Sequence, residues 1–393
     1  MVSTVAFASS GTQVAAAPSA SDRTGKAGLR VTRRELLRCG LGILAGSAIA
    51  PVRPAWSREP ARDVRAVYLS YYGVGDREIR GRVLELLGRT ELNAVVIDAK
   101  GDRGFIPYET GVPLAREAGA TGPVRVGDFD EMLARLNASG VYTIARVVVF
   151  KDNVLARYRK AWALSDARSG SLWLDNEHLA WLDPFEEEAW TYPIAVAREA
   201  ALKGFDEIQF DYLRFPTDGP LKAIRYSRPA TQESRLRTIV EFLKRARAAL
   251  ESTDASLAVD LFGYTAFNLD DTGVGQRIEE LARAVDTLCP MAYPSAYHLG
   301  IPHYGNPVAH PYEVVFETVR QVRERAAHAS TEVRPWIQDF RDYAFDRRFF
   351  GVSEVRAQMK AARDAGATGW MLWNPQNRYT AEALGLRPSA TPK

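Results

Sequence analysis

The sequence predicts an α/β protein, a single (β/α)8 barrel of the TIM type with loop insertions, over residues 64–386. Three observations carry that expectation. Eight apolar, β-branched or aromatic runs alternate with stretches of helical spacing. Several helical stretches stop at a glycine just ahead of the next run: Gly140, Gly204, and Gly366 with Gly369. An open nucleotide-binding sheet would need a glycine-rich phosphate loop after the first run. Gly73-Val74-Gly75 there lacks the third glycine and the ribose-binding acid.

In chain order, strands are expected at Val64–Tyr72, Ala94–Asp98, Tyr142–Phe150 and Glu207–Phe215, then at Leu257–Phe262, Thr287–Ala292, Val333–Phe340 and Gly369–Trp373. Helix Asp130–Asn137 carries Met132, Leu133 and Leu136 on one face. Helix Glu233–Leu250 repeats Leu236, Ile239, Val240, Leu243 and Leu250, with basic residues opposite. Tyr312–Ala326 and Glu354–Ala365 have the same spacing. Loop insertions are expected after the second, third and fourth strands.

Composition narrows the class. The chain has 393 residues, 46% hydrophobic and 25% charged, with a formal charge of +3. That is too apolar for disorder and too balanced to leave an electrostatic footprint for nucleic acid. Two cysteines supply neither a disulfide scaffold nor a four-thiolate zinc site.

Residues 1–50 are expected to be an export signal. Arg33-Arg34 and a modestly apolar run from Leu41 precede Ala48-Ile49-Ala50, a small-residue cleavage pattern, and Pro51 follows. The arginine pair resembles a twin-arginine signal, a receptor-read address, and the run is too short and glycine-rich for a stable membrane anchor. The competing reading is a disordered arm with a short basic helix. Cleavage leaves 45 Lys and Arg against 46 Asp and Glu, with Cys289 the one remaining cysteine. Residues 51–63 then read as a linker and 387–393 as a tail, and the expected location is periplasmic or extracellular.

Chemistry on such a barrel sits at the C-terminal ends of the strands. Asp211 and Asp260 lie inside apolar runs, where an ionised carboxylate must be paired or shifted in pKa, so they are the leading catalytic candidates. Asp98 and Asp339 end the second and seventh strands and are supporting or alternate carboxylates. Asp102, Asp152 and Asp206 carry the blander reading of helix caps. Tyr212, Tyr293, Trp336 and Trp373 are aromatic residues beside acids, a combination that suits a sugar, whose C–H faces stack on rings while its hydroxyls bond polar side chains. Lys100, Arg214, Gln338 and Asn374 are the candidate hydroxyl binders. No cofactor or metal is called for.

The segments Val96–Gly104, Ala145–Asp152, Trp181–Pro184 and Gly204–Pro216, followed by Asp260–Gly263, Pro290–Pro294, Pro335–Phe340 and Gly369–Asn374, together resemble a bacterial family of glycoside hydrolase (β/α)8 barrels. The resemblance spans roughly residues 64–380 and implies a barrel with glycosidase activity, without naming a substrate. The fourth strand is also similar to the Asp-rich strand of chitinases, with Asp211 at the last Asp, but Leu213 stands where that pattern requires Glu. Amylase-like glycosidases place a nucleophilic Asp on strand four, an acid/base on strand five and a supporting Asp on strand seven. Asp211, Asp260 and Asp339 stand on those strands, although the fifth-strand acid is commonly Glu there, so the acid assignment stays open.

The expected function is therefore hydrolysis of a poly- or oligosaccharide by two carboxyl groups. Asp211 is the expected nucleophile or base and Asp260 the expected acid. Two alternatives are a barrel that binds cell-wall or capsular glycan without cutting it, and a metal-dependent hydrolase using His298, His303 and His310. The oligomeric state is not legible.

Overall fold

The computed structural model describes residues 63–387. The expected signal at 1–50, residues 51–62 of the linker and residues 388–393 of the tail lie outside them. Eight barrel strands follow in order: β1 (Val64–Leu69), β2 (Ala94–Lys100), β3 (Tyr142–Val148), β4 (Glu207–Asp211), β5 (Ser256–Leu261), β6 (Thr287–Pro290), β7 (Glu332–Val333 continued by Trp336–Gln338) and β8 (Gly369–Trp373). All pair in parallel with their sequence neighbours, and β1 also pairs with β8 through Val64↔Gly369 and Arg65↔Trp370. The first part of β7 pairs with β6 and the second with β8, with Met291↔Trp336 completing the ring. Among the described residues no helix is long and apolar enough to cross a membrane.

The helices that wrap this ring are α1 (Arg77–Arg89), α2 (Phe129–Ala138), α3 (Glu187–Lys203), α4 (Gln232–Leu250), the single turn α5 (Ile278–Leu281), α6 (Pro311–Ala326) and α7 (Val352–Asp364). Their starts are set by local chemistry: Asp76 accepts from the N–H groups of Glu78 and Ile79 to open α1, and Thr231 accepts from Ser234 to open α4. α3 stops at Gly204, whose φ of 104° only glycine adopts cheaply. α1 and α3 were not among the expected helices: six of the 13 residues of α1 are charged and two are Gly81 and Gly88, and α3 contains Pro193.

Six strands, β1 and β3 to β7, end one to four residues before their apolar runs, and backbone events mark three of them. β1 stops at Leu69 because the Ser70 hydroxyl accepts from Gly73 N–H and starts a short turn of helix. β4 stops at Asp211 because Tyr212 turns to φ 48°. β7 is interrupted at Arg334-Pro335, where proline has no N–H for the ladder.

The barrel interior is a stack of alternate strand positions. Near the N-terminal ends, Glu207 pairs with Arg334 at 2.7 Å with both side chains buried, and the Tyr142 hydroxyl donates to Glu207. Halfway up, the Gln209 amide faces the sulfurs of Cys289 and Met371. Two residues further on strand β4, Asp211 reaches the mouth. Leu, Val and Ile from the opposite strand faces form the larger outer core against the helices.

A β-bulge between Asp98 and Lys100 decides what β2 offers the mouth. Two residues apart, these side chains would share a face of a regular strand. The bulge leaves Asp98 inside and turns Lys100 outward, where its ammonium donates to the Val148 carbonyl at 2.5 Å and pairs with Asp152 at 2.8 Å, both side chains fully buried. Lys100 was expected to bind substrate hydroxyls; the bulge instead makes it part of the barrel wall. Asp152 also caps the helix Asn153–Tyr158 through Leu155 N–H, as its blander reading held. Replacing Lys100 by Met would strand the Asp152 carboxylate in the wall and is expected to cost about 3–5 kcal/mol, measured by chemical denaturation of the purified protein.

Candidate active site

The mouth is organised by one guanidinium. Arg146, in the middle of β3 and 6% exposed, donates from Nη1 to Asp98 (2.7 Å), from Nη2 to Asp102 (2.8 Å), and from Nε and Nη2 to Asp211 (2.9 and 2.5 Å). Its carboxylates come from β2, the turn after β2, and β4. Burial alone would disfavour its charge, yet the surrounding carboxylates hold its pKa well above the ordinary value.

The acids divide by environment. Burial pushes Asp98 up despite Arg146 and despite accepting from the Tyr68 hydroxyl (2.6 Å) and Tyr71 N–H (2.9 Å). Asp102 also feels a desolvation cost, but Arg146 outweighs it and holds the carboxyl below its usual range. The second oxygen of Asp211 accepts from Tyr212 N–H at 2.6 Å. Tyr212 itself adopts the left-handed backbone, a conformation costing about 1–3 kcal/mol, directly after this carboxylate.

Asp260 has no guanidinium. Its Oδ1 accepts from the Trp336 indole N–H at 2.7 Å, and its Oδ2 has no hydrogen-bond partner. Burial, then the negative field of Asp211, push its pKa well above the usual carboxylate value. The arrangement therefore sets a proton-retaining carboxyl on β5 within the field of a guanidinium-paired carboxylate on β4.

Other candidates take different places. Asp339 accepts from the backbone N–H (2.8 Å) and hydroxyl (2.7 Å) of Thr380, so it pins the segment after β8 and is not bonded into the Arg146 cluster. Gln338 is fully buried, exchanging bonds with Ser295 and donating to the Phe340 carbonyl, which leaves it no donor or acceptor turned to solvent. Asn374 is spent on the turn after β8, donating to the Asp339 carbonyl and accepting from Gln376. Gln338 and Asn374 are thus corrected from hydroxyl binders to turn and wall residues. Trp336 is buried and positions Asp260 instead of lining an open subsite.

Tyr212 and Arg214 do reach the mouth. The Arg214 guanidinium lies 4.7 Å from the Tyr212 ring and 5.5 Å from that of Trp181, with bonds only to the Phe215 carbonyl and Thr217. Tyr293 and Trp373 lie against each other, their ring centroids 5.2 Å apart. A cleft of about 240 Å³ opens between Tyr68, Tyr71, Asp98, Asp102, Glu177 and Trp373, at the C-terminal ends of β1, β2 and β8. A larger one, about 530 Å³, lies at the opposite end of the barrel beside Arg247, Leu257 and Asp286, away from the acids.

Arg146 and Tyr68 are site residues that the sequence reading passed over, and Asp102 is one it read as a helix cap. The signal for Arg146 was present, since it is a lone charge inside an apolar run, as Asp211 is. Among the described residues, no group of three or more His, Cys, Asp and Glu side chains is placed to hold a metal ion.

Comparison with known proteins bears on what this mouth belongs to. A hypothetical protein from Ruminiclostridium thermocellum ATCC 27405 is 38% identical over 49% of this chain and 96% of its own, with a TM-score of 0.43. The PgaB (BpsB) glycoside hydrolase domain from Bordetella bronchiseptica is 18% identical, with a TM-score of 0.57, covering 81% of this chain and 95% of its own. A beta-galactosidase from the psychrophilic Marinomonas ef1 is 12% identical, with a TM-score of 0.54, covering 79% of this chain and 54% of its own. The last two share the barrel fold. No curated protein matches the chain. Residues 66–379 match the family described as "Putative glycosyl hydrolase domain", and the chain belongs to that family.

Proposed function

We propose that the protein is an exported glycoside hydrolase that cuts a poly- or oligosaccharide with Asp211 and Asp260. The observation that carries the reading is the unlike pair itself. Glycosidic hydrolysis needs one carboxyl group that keeps a proton for the departing oxygen and one carboxylate that attacks the anomeric carbon or activates water. Asp260, desolvated and beside a negative neighbour, fits the first role. Asp211, held by Arg146 and by Tyr212 N–H, fits the second, because both donors fix the direction of its oxygens.

The supporting groups act through these two. Trp336 N–H fixes the Asp260 carboxyl, whose buried Oδ2 has no hydrogen-bond partner. Arg146 shares one positive charge among Asp98, Asp102 and Asp211, which holds these carboxyl groups together where an oxocarbenium-like transition state would develop its charge. Export rests on the signal-like residues 1–50 alone.

Asp211→Asn and Asp260→Asn are each expected to lower kcat on the true substrate by on the order of 10²–10⁴ with the fold intact, read by reducing-sugar release and circular dichroism. Wild-type rates for Asp211→Asn would remove the assignment.

The pH behaviour has a definite sign. The acid must be protonated, so kcat should fall as pH rises through the elevated Asp260 pKa, and this alkaline limb should be missing from the residual activity of Asp260→Asn. Stability responds to the same proton. A carboxyl whose folded pKa is raised keeps its proton above the unfolded pKa, so folding stability is lost as pH climbs from the unfolded to the folded value. Asp260→Asn should therefore melt higher than wild type at neutral pH, with the gap closing below pH ~4, the unperturbed aspartate value. Calorimetry across pH checks it.

A further inference from the structure

The rim of the mouth is divided between two kinds of side chain. Carboxylates stand at the ends of β2, β4 and β5 around Arg146 of β3, while rings run along the ends of β6, β7, β8, β1 and β2. On one flank the exposed Tyr343 stacks on Phe340 (6.1 Å, 10° between planes), and Phe340 packs edge-on against Trp373 at 5.0 Å. On the other, Tyr72 lies edge-on to Tyr71 at 5.0 Å, and Tyr71 stacks on Phe105 at 5.8 Å. Trp373 joins the two flanks, because it lines the same 240 Å³ cleft as Tyr71 and Tyr72.

The outer ends of this arc are the informative part. Rings packed for the core are covered, as Trp336 is; Tyr72 and Tyr343 are each 53% exposed, at opposite ends of the arc. Exposed aromatic area continuous with a polar cleft marks a ligand-binding groove. A site for one terminal sugar would need rings only around the acids. Exposed rings on both sides, Tyr72 at the edge of the cleft and Tyr343 beyond Trp373, need a ligand long enough to reach both.

We infer that this arc is a binding track for an internal stretch of a glycan chain, with Tyr72 and Tyr343 as its end platforms, so that cleavage falls within the polymer and not at its terminus. The inference rests on the glycosidase reading for its cleavage clause, but its binding clause stands apart from catalysis. The track presents an apolar ring face at each platform, with the Asp98 and Asp102 carboxylates in the cleft that it borders, the chemistry of a sugar polymer's alternating C–H and hydroxyl faces.

The test is affinity electrophoresis of the full chain in gels containing glycol chitosan, mixed-linkage β-glucan or dextran. The Asp260→Asn background is used so that no polymer is consumed during the run. At least one polymer should retard the protein, and adding Tyr72→Ala with Tyr343→Ala should weaken that retention tenfold or more without moving the unfolding midpoint. Leu202→Ser, which removes an exposed apolar residue on the outer helix α3, should leave retention unchanged. Equal retention of the double variant, or retention by none of the polymers, overturns the track. With the active enzyme, viscosity should drop well before single sugars accumulate; release of single sugars from the first time points overturns the internal-binding clause. Retention that depends on both tyrosines without any hydrolysis would sink the hydrolase reading and leave the track standing. Cleavage of aryl glycosides that requires Asp260, without polymer retention, would do the reverse.

Discussion

Everything at the barrel mouth depends on Arg146 being charged, buried and shared. An arginine in the middle of a parallel strand is a heavy liability unless its guanidinium is fully paired. Here it is answered by Asp98, Asp102 and Asp211, and the three would repel one another without it. The cluster thereby ties β2, β3 and β4 into one fixed register at their upper ends. Asp260, one strand further on, has no such partner, and burial with the field of Asp211 pushes its pKa up.

The architecture was legible because it is written in periods and stops. β8 spans Gly369–Trp373 as its apolar run indicated, and α4 and α6 begin one residue before their expected positions. Where the reading slipped, a backbone event outweighed the pattern: the Ser70 turn, the left-handed Tyr212 and Pro335 each cut a strand short of its apolar run. α1 and α3 were hidden by glycine, charge and proline in their interiors, which tertiary packing overrides.

The site was only half legible, for a geometric reason. Residue type and strand-end position reveal that a polar side chain is near the mouth, but not which face it takes. Lys100 reads as Asp98's neighbour on the inner face until a bulge sends it outward. Gln338 and Asn374 read as free amides, although both are used to hold the loops above β6 and β8. Asp339 reads as a third acid, yet its contacts with Thr380 make it a clasp. Arg146 was visible as a charge in an apolar run and passed over because attention fell on acids.

The seam between the first and last strands has its own consequence. β1 gains its second neighbour only when β8 arrives, and the segment after β8 folds back so that Asn377 and Tyr379 bond the Tyr68 and Ser70 backbone. Tyr68 is the residue whose hydroxyl steadies Asp98. Without β8 and the segment after it, the ring stays open and the Tyr68 backbone loses these bonds. Such long-range pairing is slow to form. Docking of β8 is thus the event that turns an open sheet edge into a closed ring.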